Sequence, residues 1–325
     1  LVDQTGNVPG RQLTAGNRNR FYQPVWSPDN ERIAVSDKEG QIFVADVSSG
    51  RLRKVGDCGA WYVHDYSWSP DSRYLAYVIQ ESNFFRSLMV WEADTGETHR
   101  LTDDQFDEFE PAWDPDGDYL YFLSAREFAP QVGGFEWNYV INRAVGIFAF
   151  ALRSDVPHAF PPPVGDVETL PDVEDSAESR AGPRQNGAGE AATIDFDGLS
   201  GRVFRVPVSS DNYDSLAVTR SDIIFRRNSA HFYGRRDATH ELMEFSVADR
   251  NLKKLADDVV CLVVSRDGKK ILVRKVERVP LDLMAAIQRG DLRGTNRYER
   301  GLFNTGEIVE TELGDMSRWD PRKRY

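Results

Sequence analysis

The sequence is short of the residues that usually announce a chemistry. Two cysteines in 325 residues, Cys58 and Cys261, allow at most one intramolecular disulfide and exclude both a cysteine-stapled scaffold and a multi-cysteine zinc site. Two ordinary core thiols are the expected state. The five histidines, His64, His99, His158, His231 and His240, are scattered along the chain. No apolar run approaches the roughly 18 residues of a membrane-spanning helix, and no basic-then-apolar segment of a signal peptide opens the sequence. The chain begins at Leu1 rather than with methionine, so a leader or an upstream domain could precede it. Cations are in deficit as well: 40 Lys plus Arg against 52 Asp plus Glu leave a formal charge of −12, which opposes attraction to phosphate backbones and anionic lipid heads. Neither nucleic acid nor membrane is an expected partner.

What is present describes a folded protein. Hydrophobic residues at 40%, aromatics at 11% and charged residues at 28% suit a water-soluble chain with a substantial core, and exclude global disorder and fibres. The length fits one large all-β domain or two smaller domains.

The organising feature is an internal repeat. Val25-Trp26-Ser27-Pro28-Asp29 recurs as Ser67-Trp68-Ser69-Pro70-Asp71 and as Ala112-Trp113-Asp114-Pro115-Asp116-Gly117, the tryptophans 42 and then 45 residues apart. Val264-Ser265-Arg266-Asp267-Gly268 is a degenerate fourth copy. Each copy precedes an apolar run, at 32–35, 74–78, 119–123 and 270–273. Proline presets φ, aspartate bonds its own backbone and glycine accepts positive φ, so each copy reads as strand, tight turn, strand. A second strand pair follows at 41–47 and 51–55, at 88–92 and 98–101, and at 242–247 and 252–255, split by turns such as Ser48-Ser49-Gly50 and Asp94-Thr95-Gly96.

Four antiparallel strands per period of this length make one propeller blade. The expected fold is all-β: a single β-propeller domain over 1–325 with about six four-stranded antiparallel blades. Five are recognisable, at 22–56, 64–102, 110–207 with an insertion, 213–256 and 258–313. Arg11-Gln12-Leu13-Thr14 echoes His99-Arg100-Leu101-Thr102 and marks part of another blade, which either closes the ring with the C-terminal strands or belongs to a larger propeller. The insertion, 161–193, has five Pro, four Gly and seven acidic against two basic residues. It reads as a disordered, solvated linker within the third blade.

Catalytic templates fit poorly. The chain has no Gly-x-Ser-x-Gly elbow, no phosphate loop, no Gly-x-Gly-x-x-Gly and no His-Glu-x-x-His; after His240-Glu241 the second histidine's place is held by Glu244. Ser67, His64 and Asp65 crowd one short strand approach with alternating faces, which disfavours a triad. Asp114-x-Asp116-Gly117-Asp118 opens like a calcium loop but continues with Tyr119 and Ala125 where Gly and Glu are needed. It reads as blade-turn carboxylates. No catalytic residue, metal site or cofactor is therefore expected. Arg226, Arg227, Arg235 and Arg236 bracket a polar inter-strand segment of the fourth blade. They are either a solvated loop's ion-pairing residues, the favoured reading, or the forked donors that hold a peptide carboxylate.

The Trp-Ser-Pro-Asp blades resemble the propellers of TolB, of prolyl-oligopeptidase-type enzymes and of the tricorn protease family. Three segments select the last. Leu101-Thr102-Asp103-Asp104-Gln105-Phe106-Asp107-Glu108-Phe109-Glu110-Pro111-Ala112-Trp113, running on to Phe128, is similar to the tricorn propeller's pattern. Ile194-Asp195-Phe196-Asp197-Gly198-Leu199 with Arg202–Val208 and Asn212-Tyr213 is similar to the segment after that family's long insertion. Trp319-Asp320-Pro321-Arg322 resembles its approach to the catalytic half, which makes 314–325 the expected start of a linker.

The resemblance implies a cytosolic serine peptidase that trims oligopeptides and assembles as a ring-shaped homo-oligomer, its propellers filtering and guiding peptides. The family's catalytic residues lie in domains after the propellers, so none carries over onto this chain. The expected role is a non-catalytic module whose partners are oligopeptides and the parent's catalytic domains. The alternative is a TolB-like protein–protein interaction scaffold.

Overall fold

The computed structural model describes residues 1, 7, 9–14, 19–58, 65–127, 130–132, 139–161, 193–230, 239–265, 268–276 and 304–310. The interior of the 161–193 insertion, the 314–325 segment, His64, His231, Arg235 and Arg236 lie outside the described residues. The chain divides into two compact units, one of residues 1–128 and 145–209, the other of 129–144 and 210–325.

The first unit holds three four-stranded antiparallel sheets. The first is β1 (Phe21–Trp26), β2 (Arg32–Asp37), β3 (Gln41–Asp46) and β4 (Leu52–Asp57), in that order. The second is β5 (Tyr66–Trp68), β6 (Tyr74–Gln80), β7 (Arg86–Glu92) and β8 (Thr98–Arg100). The third begins with β9 (Glu108–Trp113) and β10 (Tyr119–Ser124). A short hairpin belonging to the second unit, β11 (Gln131–Val132) and β12 (Tyr139–Val140), then interrupts it. It resumes with β13 (Gly146–Ala151) and, beyond the insertion and a 3-10 turn at Leu199–Arg202, ends in β14 (Val203–Arg205). Phe148 pairs with Arg205 and Phe150 with Val203, so both ends of the insertion return to one sheet.

The expected turns are built as the sequence predicts. The Ser69 hydroxyl donates to Asp71 at 2.6 Å and accepts the Tyr74 amide at 2.9 Å; Ser27 and Asp29 repeat the pattern. The residue after the aspartate is left-handed in each described copy: Asn30 at φ 63°, Ser72 at 66°, Gly117 at 75°. Glycine is thus one solution among several, because Asn and Ser tolerate this region at modest cost.

Sheets are joined through the motif tryptophans. Trp68 Nε1 donates to the Val25 carbonyl at 3.3 Å, and Trp113 Nε1 to the Ser67 carbonyl at 3.0 Å. In both, the acceptor precedes the tryptophan of the previous sheet. Across the same junction the Tyr66 hydroxyl donates to the carbonyls of Tyr22 and Gln23. The middle sheet is consequently covered on both faces, and β6 is buried without alternation from Tyr74 to Val78. Trp26 remains 44% exposed. Residues 11–14 are not a strand. Even so, the Arg11 guanidinium donates to the Val47 carbonyl, much as Arg53, on an outer strand, reaches Gly96 O at 3.4 Å.

The second unit contains a four-stranded sheet, β15 (Asn212–Val218), β16 (Asp222–Asn228), β17 (His240–Ser246) and β18 (Leu252–Asp257). It also contains β19 (Val259–Val264), β20 (Lys270–Val276) and β21 (Asn304–Glu310), three strands among the described residues where four were expected. Ile224, Leu242, Val259, Ile271 and Val273 form its core.

Both cysteines are free thiols. Cys58 is a core residue whose thiol donates to Val78 O at 3.1 Å, and burial, aided by the charges of Asp57 and Asp65, pushes it up to about 12. Cys261 is only half-buried. Among the described residues no helix is long and apolar enough to cross a membrane.

Candidate functional site

Of the four arginines expected at the site, the structure describes Arg226 and Arg227, and both stand on β16 rather than in the segment that follows. After Asp222 the strand is apolar, with Ile223, Ile224 and Phe225 fully buried, and it ends polar at Arg226-Arg227-Asn228. Register brings each polar residue opposite a partner: Arg226 faces Asp214, Arg227 faces Glu241, and Asn228 lies between Asn212 and His240.

Arg226 grips both oxygens of Asp214 at 2.6 Å through Nε and Nη2. Its Nη1 reaches the carbonyls of Val259 and Val260, joining β16 to the first strand of the next sheet. Asn228 donates to Asp214 at 2.9 Å, and its amide oxygen meets His240 Nδ1 at 2.6 Å. That contact makes Nδ1 the protonated ring nitrogen. Arg226, so fully engaged, is a clamp, since freeing it for a ligand would leave Asp214 with only the Asn228 amide and take this donor from two carbonyls.

Arg227 is placed differently. Nε and Nη2 donate to Glu241 Oε2 at 2.8 and 2.7 Å, and Nη1 has no hydrogen bond among the described residues. Its side chain is 34% exposed. The hydrogen bonds it donates to Glu241 hold the guanidinium's pKa above its ordinary value, so it is a permanent cation. Lys254 shares Glu241 at 3.5 Å and takes Asp257 at 2.9 Å. Chemically this edge can offer a carboxylate the Nη1 amino group of Arg227 and a positive field.

Sequence reasoning found the arginines but missed Asp214, Asn228, His240 and Glu241. Folding 212–257 as consecutive hairpins would have paired Asp214 with Arg226 and Arg227 with Glu241, since cross-strand opposite charges are favourable. In the third sheet Asp114, Asp116 and Asp118 serve the turn: Asp114 accepts the Asp118 amide at 3.2 Å and Asp118 holds Arg153 at 2.7 Å. Where the first two motif copies have Ser27 and Ser69, the third buries Asp114, and desolvation pushes its carboxyl up to about 7.

Repeated four-stranded antiparallel sheets, entered through one turn motif and tied first strand to first strand, define a β-propeller protein. The chain belongs to the tricorn protease propeller family: residues 1–282 match the family described as the tricorn protease second beta propeller domain. It is 26% identical over 297 residues to tricorn protease homolog 1 of Streptomyces coelicolor, an alignment covering 87% of this chain and 27% of that protein. The chain thus spans about a quarter of that relative's length. The crystal structure of the tricorn protease superposes with a TM-score of 0.67 at 17% identity, covering 92% of this chain and 26% of the other. TolB from Acinetobacter baumannii gives 0.52 at 14% identity, with 95% and 56% covered. Both structural likenesses concern the fold.

Proposed function

We propose that residues 1–325 form a single propeller domain, the non-catalytic module of a cytosolic tricorn-like serine peptidase. It admits or guides oligopeptides to a catalytic region elsewhere in an oligomeric parent. The observation that carries this reading is the family match over residues 1–282, joined to a relative more than three times as long that is named a protease homolog. A propeller module beside a hydrolase is suited to selecting by access, because an extended chain enters where a folded one does not.

Within the module, Arg227, Arg235 and Arg236 hold the peptide's terminal carboxylate, and Arg226 fixes β16, the strand that carries Arg227. Support comes from Arg227, whose Nη1 amino group makes no hydrogen bond among the described residues beyond the ion pair with Glu241. A labelled, unfolded decapeptide is the probe. Replacing the three arginines by glutamine is expected to weaken its binding about tenfold, the equivalent of one charge-assisted hydrogen bond. The C-terminally amidated peptide should bind wild type and variant alike. Equal wild-type affinity for acid and amide would remove the carboxylate role. A TolB-like scaffold, the alternative, would bind a folded partner and neither peptide.

A further inference from the structure

The turn between β6 and β7 breaks a local rule without compensation among the described residues. In the first sheet the corresponding turn closes with the Gly40 amide donating to Asp37 O, and the left-handed position is glycine, φ 77°. In the second sheet the Phe84 amide donates to Glu81 O at 3.0 Å, and the same position is phenylalanine, φ 69°. A bulky side chain in that region is strained, and such strain persists where the surroundings or a function repay it. Here the surroundings do not: Phe84 is 69% and Phe85 41% exposed, and neither ring packs on an aromatic or cationic neighbour among the described residues.

The tip is also stiff. Glu81 N donates to Phe85 O at 2.7 Å, Phe85 N to Asn83 Oδ1 at 2.9 Å, and Asn83 Nδ2 to Asp104 O at 2.8 Å. Arg100 holds Glu81 at 2.7 Å and Arg86 holds Asp107 at 2.7 Å, so the nearby cations are neutralised. Asp103 and Asp104 flank the tip, exposed, and enter no ion pair among the described residues. The result is a rigid, convex pair of aromatic rings beside two carboxylates, the form of an anchor that enters a pocket.

We propose that the Phe84–Phe85 tip docks into another domain of the parent polypeptide, one presenting an apolar socket edged by Lys or Arg. This rests on the multidomain parent of the preceding reading. Two copies of the tip would bring carboxylates together on chains of net charge −12, which disfavours self-pairing. A relative of which this chain spans only 27% leaves ample polypeptide to supply the socket, and tethering raises its effective concentration to about millimolar.

The test uses the full parent protein with Phe84 replaced by a photo-crosslinking benzoylphenylalanine. The expected product is an intramolecular adduct to a segment outside residues 1–325 with Lys or Arg adjacent. An adduct within 1–325, to a second copy or to a different polypeptide, or no adduct, would overturn the proposal. Phe84→Gly relieves the backbone strain, so the parent's melting temperature should hold or rise while hydrogen exchange of the socket segment quickens about tenfold; a lower melting temperature with unchanged exchange would mean that Phe84 acts only within its own fold. Neither readout uses hydrolysis, so a parent that crosslinks as expected but cleaves no peptide would keep this inference and lose the peptidase reading.

Discussion

Trp68→Ala is expected to destabilise the first unit by about 3–5 kcal/mol, the usual cost of emptying a large aromatic site in a core. The indole is 6% exposed, meets Trp91 edge-on at 6.3 Å and supplies the N–H that ties β5 to β1. Phe at this position keeps much of the packing and loses that donor, leaving the Val25 carbonyl short of a partner; about 1–2 kcal/mol should be lost. Urea denaturation followed by Trp fluorescence or circular dichroism measures both. A loss below about 1 kcal/mol for the alanine variant would show that the motif tryptophans are not what couples successive sheets.

Asp114→Ser is expected to stabilise the protein at pH 8, contrary to the usual direction of a core substitution. The Asp114 carboxyl is pushed up to about 7 by burial, from an ordinary value of 3.8. The folded state therefore binds its proton more tightly than the unfolded state does. Stability from this group is complete below about pH 4 and is lost as pH rises toward and through 7. Each tenfold in proton affinity corresponds to about 1.4 kcal/mol, giving a penalty on the order of 2–4 kcal/mol at pH 8. Serine restores the residue of the first two motif copies, whose hydroxyls donate to the next aspartate and accept an amide. The difference between variant and wild type should be largest at pH 8 and fade by pH 4. A pH-independent difference would place the Asp114 carboxyl near its ordinary value.

These two residues show both where sequence reasoning is strong and where it stops. The Trp-Ser-Pro-Asp spacing located the strand pairs within a residue or two, because local turn chemistry and a regular period determine them together. The third blade was traced across its insertion, since β13 and β14 keep strand patterns on either side of it. Other features were hidden because they depend on register between distant segments. Asp214 under Arg226 and Glu241 beside Arg227 follow from hairpin pairing, and the shifted carboxyl of Asp114 from burial that no local pattern encodes. The strain at Phe84 was equally invisible, because the tip's sequence gives no sign that phenylalanine rather than glycine takes the left-handed position.

The central claim is that this propeller serves a peptidase, and hydrolysis of fluorogenic oligopeptides by the full parent protein tests it most directly. The expected result is cleavage by the parent, abolished on replacing a serine outside residues 1–325, with no turnover by residues 1–325 alone. A parent that cleaves no peptide, or cleavage by residues 1–325 themselves, would contradict it.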